Sequence, residues 1–261
     1  MTQTERAEQF RTMHQAEPFV IPNPWDAGSA KVLASLGFKA LATTSGGMAF
    51  TLGKLDGAVR LDEVVDHVRA IAAATDLPVS VDLENGYGRE PEDAARAITA
   101  AGEAGAVGGS IEDWGEGSFY ELDHAVERIA AARGAADAFD FPFTLTARAE
   151  NFFRGNPDVD DTIARLQAYE RAGADVLYAP RLEDVTQLKA ICDAVSKPVN
   201  ALASSGITAE EMFEAGAQRI SVGARLAWVA LAAMVDAAEA IRDSGDFSNL
   251  DVRVYPAEWL G

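Results

Sequence analysis

Two carboxylates stand two residues apart in Pro78-Val79-Ser80-Val81-Asp82-Leu83-Glu84-Asn85-Gly86-Tyr87-Gly88. The alternating valines read as a short buried strand. Side chains two apart on a strand point the same way, so Asp82 and Glu84 face one place. Gly86 and Gly88 let the backbone turn tightly beside them. Two convergent acids at a strand's C-terminal end, with no base adjacent, suit a hard divalent cation such as Mg²⁺, with Mn²⁺ as a substitute. Taken alone, the segment also reads as an acidic turn with solvated carboxylates.

The chain that must position these acids has 261 residues and 48% hydrophobic content, enough for a large core. No composition shift or Pro/Ser-rich linker divides it, so one domain over residues 1–261 is expected. A weak repeat marks helix-to-strand junctions: Leu36-Gly37-Phe38-Lys39-Ala40-Leu41, Ala104-Gly105-Ala106-Val107, Ala172-Gly173-Ala174-Asp175-Val176 and Ala215-Gly216-Ala217-Gln218-Arg219-Ile220. Glycine just past a helix end is the expected stop signal. Its recurrence before apolar runs argues for βα units and a parallel sheet.

Eight strands are predicted, at Phe19–Pro22, Ala40–Thr44, Val79–Asp82, Gly108–Glu112, Thr144–Arg148, Val176–Ala179, Val199–Leu202 and Ile220–Val222. Helical patterns fill the gaps: Ala27–Leu36, Leu61–Ala74, Pro91–Ala104, Leu122–Arg133, Val159–Ala172, Asp184–Val195 and Ala209–Ala215, with a longer apolar helix near Leu226–Ile241. The alternation points to an α/β fold of the (β/α)₈ TIM-barrel type. An open doubly wound sheet is the rival. No GxGxxG follows the first strand, which weakens it.

Formal net charge is −19, which disfavours nucleic acid and anionic membranes as partners. An anionic substrate stays compatible, because a bound metal reverses the local sign. The one cysteine, Cys192, permits no internal disulfide and reads as a small core residue. The N-terminal residues lack an apolar signal core, and the apolar run Leu226–Val235 is too short to span a bilayer. A cytoplasmic protein is the expectation.

In such barrels the chemistry sits at the C-terminal strand ends. Asp26, after the first strand, reads as a helix cap. The second strand is followed by Thr43-Thr44-Ser45-Gly46-Gly47, and the next loop carries Asp56. The third contributes Asp82 and Glu84, the fourth Glu112 and Asp113, the fifth Arg148 and Glu150, and the seventh Asn200. Asp56, Asp82, Glu84 and Glu112 are expected around one Mg²⁺, some through water. Ser45, Gly46 and Gly47 offer a hydroxyl and unhindered amides to a carboxylate or enolate oxygen. Arg148 supplies a planar fork for a substrate carboxylate.

These residues resemble the isocitrate lyase and phosphoenolpyruvate mutase superfamily. The similarity runs from Phe19-Val20-Ile21-Pro22-Asn23-Pro24-Trp25-Asp26 to Ile220-Ser221-Val222-Gly223. Asp82-Leu83-Glu84-Asn85-Gly86-Tyr87-Gly88, Ile111-Glu112-Asp113, Thr146-Ala147-Arg148 and Lys197-Pro198-Val199-Asn200 carry it. The resemblance implies a modified barrel, often oligomeric, whose last helix is exchanged between subunits. It implies Mg²⁺ held directly by Asp82, with Asp56, Glu84 and Glu112 nearby or water-linked. Ser45, Gly46, Gly47 and Arg148 would hold an α-oxo carboxylate, and Asn200 belongs to the same substrate-binding set. Members make or break a C–C or P–C bond through a pyruvate-type enolate.

This chain departs from both main branches. Isocitrate-type lyases carry Lys-Lys-Cys-Gly-His after the Glu-Asp strand, and the phosphonomutases a Lys and an Asn. Here the segment is Trp114-Gly115-Glu116-Gly117-Ser118-Phe119-Tyr120-Glu121. After the sixth strand, lyases place a Glu and mutases a His, against Tyr178-Ala179-Pro180-Arg181 here. Retro-aldol cleavage needs an acid and a base, and phosphoryl transfer needs a cation on the moving group. Decarboxylation asks for less, because carbon dioxide leaves without a base and solvent protonates the product.

The expected function is therefore a Mg²⁺-dependent C–C lyase of a small 2-oxo or 2-hydroxy di- or tricarboxylate, with oxaloacetate-type decarboxylation first. Arg148, Ser45, Asp56 and Glu112 are its catalytic candidates, and Tyr87, Tyr120 and Tyr178 weaker proton donors. One alternative is a phosphonopyruvate-processing mutase or hydrolase using Arg154 or Arg181. Another is a carboxylate-binding protein without turnover. The segment Leu226–Met234 is apolar nearly all round and predicts burial in a homo-oligomer, dimer or tetramer.

Overall fold

The computed structural model describes residues 1–260. Its strands are β1 (Phe19–Ile21), β2 (Leu41–Ala42), β3 (Val79–Asp82), β4 (Gly108–Glu112), β5 (Thr144–Arg148), β6 (Val176–Tyr178), β7 (Val199–Leu202) and β8 (Arg219–Ser221). All pair in parallel, in the order β1–β8–β7–β6–β5–β4–β3–β2. The ends of this ladder, β1 and β2, meet at a seam. Ala42 N donates to Pro22 O there at 3.1 Å. Asn23 clamps the rim: its Nδ2 donates to Thr43 O at 3.0 Å, and its Oδ1 accepts from Val222 N at 2.8 Å and Gly223 N at 3.0 Å. The result is the expected (β/α)₈ barrel.

The helices are α1 (Gln3–Met13), α2 (Ala27–Ser35), α3 (Ser45–Thr51), α4 (Leu61–Ala74), α5 (Pro91–Glu103), α6 (Leu122–Asp137), α7 (Val159–Arg171), α8 (Val185–Ala194), α9 (Ala209–Glu214), α10 (Arg225–Ser244) and α11 (Ala257–Leu260). Their starts follow ordinary capping: Asp26 Oδ1 accepts from Ser29 N at 2.7 Å, opening α2 as expected. On α5, Ala94, Ala97, Ile98 and Ala101 fall on one face and are buried. The small side chains let α5 and α6 pack closely. Cys192 on α8 is half-buried against the core, where burial pushes its thiol up to about 12.

Helices α1, α6 and α10 differ from the sequence expectation. Helix α1 was not predicted, because its buried face consists of only Ala7 and Phe10. Phe10 plugs the barrel floor, so close that a Cβ on Gly108 would stand 2.9 Å from its ring. Helix α6 runs through Gly134 to Asp137, past the predicted end at Arg133. Burial of Ala132 and Ala136 offsets the roughly 1 kcal/mol cost of a helical glycine. Helix α10 buries only Ala227 within the described residues, leaving Trp228, Val229, Met234 and Val235 exposed. Its own barrel therefore does not cover its apolar face. No helix among the described residues is long and apolar enough to cross a membrane.

Candidate active site

A cavity of about 840 Å³ lies at the C-terminal strand ends, lined by Ser45, Gly46, Asp56, Asp82, Glu84, Glu112, Arg148 and Asn200. Parallel strands force this convergence, since each exposes its last residue on the same rim. Gly47 is the exception. A Cβ there would stand 2.7 Å from Thr44 Cγ2 and 2.9 Å from Trp25 Cβ, so it is needed for packing behind the wall.

Asp82 is the hub. Its Oδ1 accepts from Arg148 Nη1 at 2.8 Å and Glu84 N at 3.3 Å, and its Oδ2 from Ser45 N at 3.3 Å. Its own backbone N–H donates to Thr43 Oγ1 at 3.0 Å, which pins the strand end to β2. Ser45 and Gly46 do not form the expected loop. They are the first turn of α3, with Thr44 as N-cap. The dipole of that turn favours negative charge beside it.

Glu84 sits at φ 47°, a left-handed backbone that glycine adopts more easily. Tyr87 (φ 60°) and Gly86 (φ 82°) continue the same tight turn. Burial, then Asp82 and Asp56, push the Glu84 carboxyl up to about 7. The donor set is all oxygen and carries excess negative charge, which fits a hard cation held by few direct ligands and completed by water. The expected acids Asp56, Asp82, Glu84 and Glu112 share the cavity. Among the described residues, no three histidine, cysteine or carboxylate side chains form a ready metal cluster.

Arg148 does not present the free fork expected of it. Its Nη1, Nη2 and Nε pair with Asp82 at 2.8 Å, Glu112 at 3.1 Å and Glu150 at 2.9 Å. Arg154 joins, with Nη2 at 3.3 Å from Glu112. Burial alone would lower the Arg148 pKa; Glu150, Asp82 and Glu112 outweigh it and hold the guanidinium protonated. Burial raises Glu112 and Glu150. Three acids against two guanidiniums leave one negative charge over, so a proton is readily taken up there.

Asp113 turns away from the cavity. It accepts from Tyr169 OH at 2.6 Å and Glu150 N at 2.9 Å, and pairs with Arg165 at 3.2 Å. Asn200 lines the cavity but is committed inside the barrel. Its Nδ2 donates to Ser221 Oγ at 3.0 Å and its Oδ1 accepts from Arg219 Nε at 2.7 Å.

The departing segment after β4 is a two-stranded hairpin, Trp114–Gly115 with Ser118–Phe119. Glu116 (φ 54°) and Gly117 (φ 81°) are both left-handed, as a two-residue hairpin turn requires. The hairpin rests on Tyr120, whose hydroxyl accepts from Asn85 Nδ2 at 3.0 Å. Trp114 lines the cavity and stacks with Arg154, 5.0 Å from guanidinium to ring.

This architecture has known counterparts. A sequence model described as phosphoenolpyruvate phosphomutase matches residues 10–242. The chain belongs to the phosphoenolpyruvate phosphomutase family, within the isocitrate lyase and phosphoenolpyruvate mutase superfamily. An uncharacterized Mycobacterium tuberculosis protein is 32% identical over 88% of this chain and 87% of its own. An oxaloacetate decarboxylase of Bradyrhizobium diazoefficiens is 30% identical over 74% of this chain and 69% of its own. The crystal structure of a Burkholderia cenocepacia J2315 protein, described only as far as lyase/mutase, superposes with TM-score 0.94 at 49% identity, covering 97% of this chain and 93% of that one. The superfamily is one of enzymes, mostly C–C lyases with mutases and hydrolases beside them.

Within the family frame, the residues that sequence reasoning passed over are Arg219, Arg225 and Trp228, which also line the cavity. Arg219 opens β8, one residue before the predicted strand. It is buried without an acid, bonded to Asn200, to Thr146 Oγ1 at 3.2 Å and to His14 Nε2 at 3.1 Å. Burial, then Arg219, pushes His14 down to about 3, so its ring stays neutral. Only an unexplained arginine at the edge of a predicted apolar strand could have flagged this network.

Proposed function

We propose that the chain is a Mg²⁺-dependent C–C lyase acting on a small 2-oxo or 2-hydroxy di- or tricarboxylate through a pyruvate-type enolate. Oxaloacetate-type decarboxylation is the first reaction to test. One observation carries this reading. Asp82 joins Arg148 and the Ser45 amide at the mouth of the barrel, while the hairpin beside them contains no Cys, Lys or His.

Asp82 would hold the ion, with Asp56, Glu84 and Glu112 around it directly or through water; Mn²⁺ would serve in place of Mg²⁺. When bound, the ion supplies positive charge where the enolate oxygen develops. The chain's own groups do the rest. Arg148 fixes the orientation of Asp82 and Glu112, and its spare N–H groups stay available to a substrate carboxylate. Ser45 and Gly46 offer a hydroxyl and helix-end amides to the same carboxylate. Asn200 shapes the cavity wall. Carbon dioxide departs without a base, and the product carbon takes its proton from water or from Tyr178, which also lines the cavity.

The cavity-lining Arg154 and Arg181 both stack on Phe153, at 5.0 and 4.9 Å, and support a second reading, phosphonopyruvate-type P–C chemistry. The exposed apolar face of α10 supports a homo-oligomer, dimer or tetramer, and a cytoplasmic location is part of the same proposal.

The test is a proton and phosphorus NMR time course with Mg²⁺ on oxaloacetate, 2-methylisocitrate, dimethylmalate and phosphonopyruvate, with Asp82→Ala beside it. Pyruvate formed from one of the three phosphorus-free substrates, and only by the intact site, supports the lyase. A phosphorus shift moves the assignment to P–C chemistry. No turnover of any substrate, with unchanged ligand binding in Asp82→Ala, sinks the proposal.

A further inference from the structure

Six cationic side chains line the cavity: Lys54, Arg148, Arg154, Arg181, Arg219 and Arg225. Four are accounted for. Lys54 pairs with Glu63, Arg148 and Arg154 with the buried acids, and Arg219 with neutral partners in the barrel interior. Arg181 and Arg225 have no carboxylate within ion-pair distance among the described residues. Both belong to the lining of one cavity, where they leave positive charge that the chain's own acids do not neutralise.

Arg181 carries a second mark. Its φ is 64°, in the left-handed region where glycine is the comfortable residue. Side chains held in that region cluster at ligand-binding positions. Its guanidinium lies 4.9 Å over the Phe153 ring, which positions the charge without neutralising it.

The cavity also exceeds what a four-carbon diacid needs. At about 840 Å³ it matches the pockets that take much larger ligands. Nor is Arg181 suited to the carboxylate that leaves as carbon dioxide. A cation on that group stabilises the ground state more than the transition state and slows the reaction.

We propose that Arg181, with Arg225, forms a distal anion subsite, and that the substrate carries a further carboxylate there, retained when the reacting bond breaks. This rests on the 2-oxo acid reading above. It narrows the substrate class to acids longer than oxaloacetate or branched beside the scissile carbon.

Three probes test it by calorimetry with Mg²⁺: oxalate, 2-oxopentanoate and 2-oxoglutarate. The last two have the same chain length, and only 2-oxoglutarate has the distal acid. The native protein should prefer 2-oxoglutarate by about ten- to a hundredfold, the worth of a charge-assisted hydrogen bond. Arg181→Gly should abolish the preference and leave oxalate binding unchanged. It also relieves the left-handed backbone, so its melting temperature should not fall. Arg181→Lys should restore part of the preference. Oxalate binding with no preference in the native protein, or a preference that survives Arg181→Gly, overturns the subsite alone. Failure of all three ligands to bind the native protein overturns the 2-oxo acid reading and the subsite with it.

Discussion

Arg148 Nη1 lies 2.8 Å from Asp82 Oδ1, tying the end of β5 to the end of β3 across β4. The same guanidinium reaches Glu112 on β4 and Glu150 beyond β5. One side chain thus sets the positions of three acids, and with Arg154 it balances two of their three charges. Arg148 is a scaffold for the site before it is a contact for any substrate.

Arg148→Met should therefore destabilise the fold as well as stop turnover. It leaves Glu150, whose side chain is 0% exposed, and Glu112, at 7%, with Arg154 as their one remaining guanidinium, at 3.7 and 3.3 Å. Removing one partner of a buried ion pair costs about 3–5 kcal/mol. The carboxyls escape the penalty by taking up protons, so the loss should be largest near pH 8 and shrink toward pH 5. Urea unfolding at the two pH values measures this, and an equal loss at both contradicts it.

Glu84 predicts how stability depends on pH and metal. Its folded pKa of about 7 lies above the ordinary value of 4.5. Between those values the folded protein keeps a proton that the unfolded chain has released. This contribution is fully present below pH 4.5 and is lost as pH rises to about 7. Glu84→Gln should flatten that slope and be the more stable protein at pH 8 in chelator. Mg²⁺ should raise the native melting temperature at pH 8 and do little at pH 5, because it competes with the proton.

Adjacent glycines should give opposite phenotypes. Gly47→Ala forces a Cβ to within 2.9 Å of Trp25 Cβ, and overpacking of this kind costs about 1–3 kcal/mol. At Gly46 the nearest atoms are 3.5 Å away, Ala224 Cβ and Asp56 Oδ2, so Gly46→Ala should fold normally. Its methyl would intrude on the cavity and weaken oxalate binding. Melting curves and calorimetry on both variants separate packing from recognition.

Asp82→Asn keeps the shape of the hub and removes its charge. Metal-dependent turnover should fall by at least about a hundredfold, the usual cost of removing a transition-state charge contact. Mn²⁺ binding followed by electron paramagnetic resonance should weaken in parallel. Intact Mn²⁺ affinity in this variant would move the metal away from Asp82.

Much of this was legible in the chain. Asp82, Glu84, Glu112 and Arg148 sit at strand ends, and a parallel barrel brings strand ends to one rim whatever the details of packing. Strands β3, β4, β5 and β7 have the predicted bounds, because a short run buried on both faces and bounded by turn residues is a local signal. Helix α3 was hidden, since Ser45-Gly46-Gly47 has poor helix propensity and forms a helix because Trp25 and Ala227 close around Gly47. Helix α1 was hidden because two buried residues make no readable period.

The sequence by itself determined the barrel, its family and the acids around the cavity, because these follow from periodicity, turn chemistry and local motifs. Tertiary structure alone decided which partners those groups take. It committed the Arg148 fork to three acids, turned Asp113 behind the wall, buried Arg219 without an acid and left Arg181 unpaired at the rim. Such pairings join residues up to 205 positions apart, as Arg219 and His14 are, and depend on directions that no local pattern encodes.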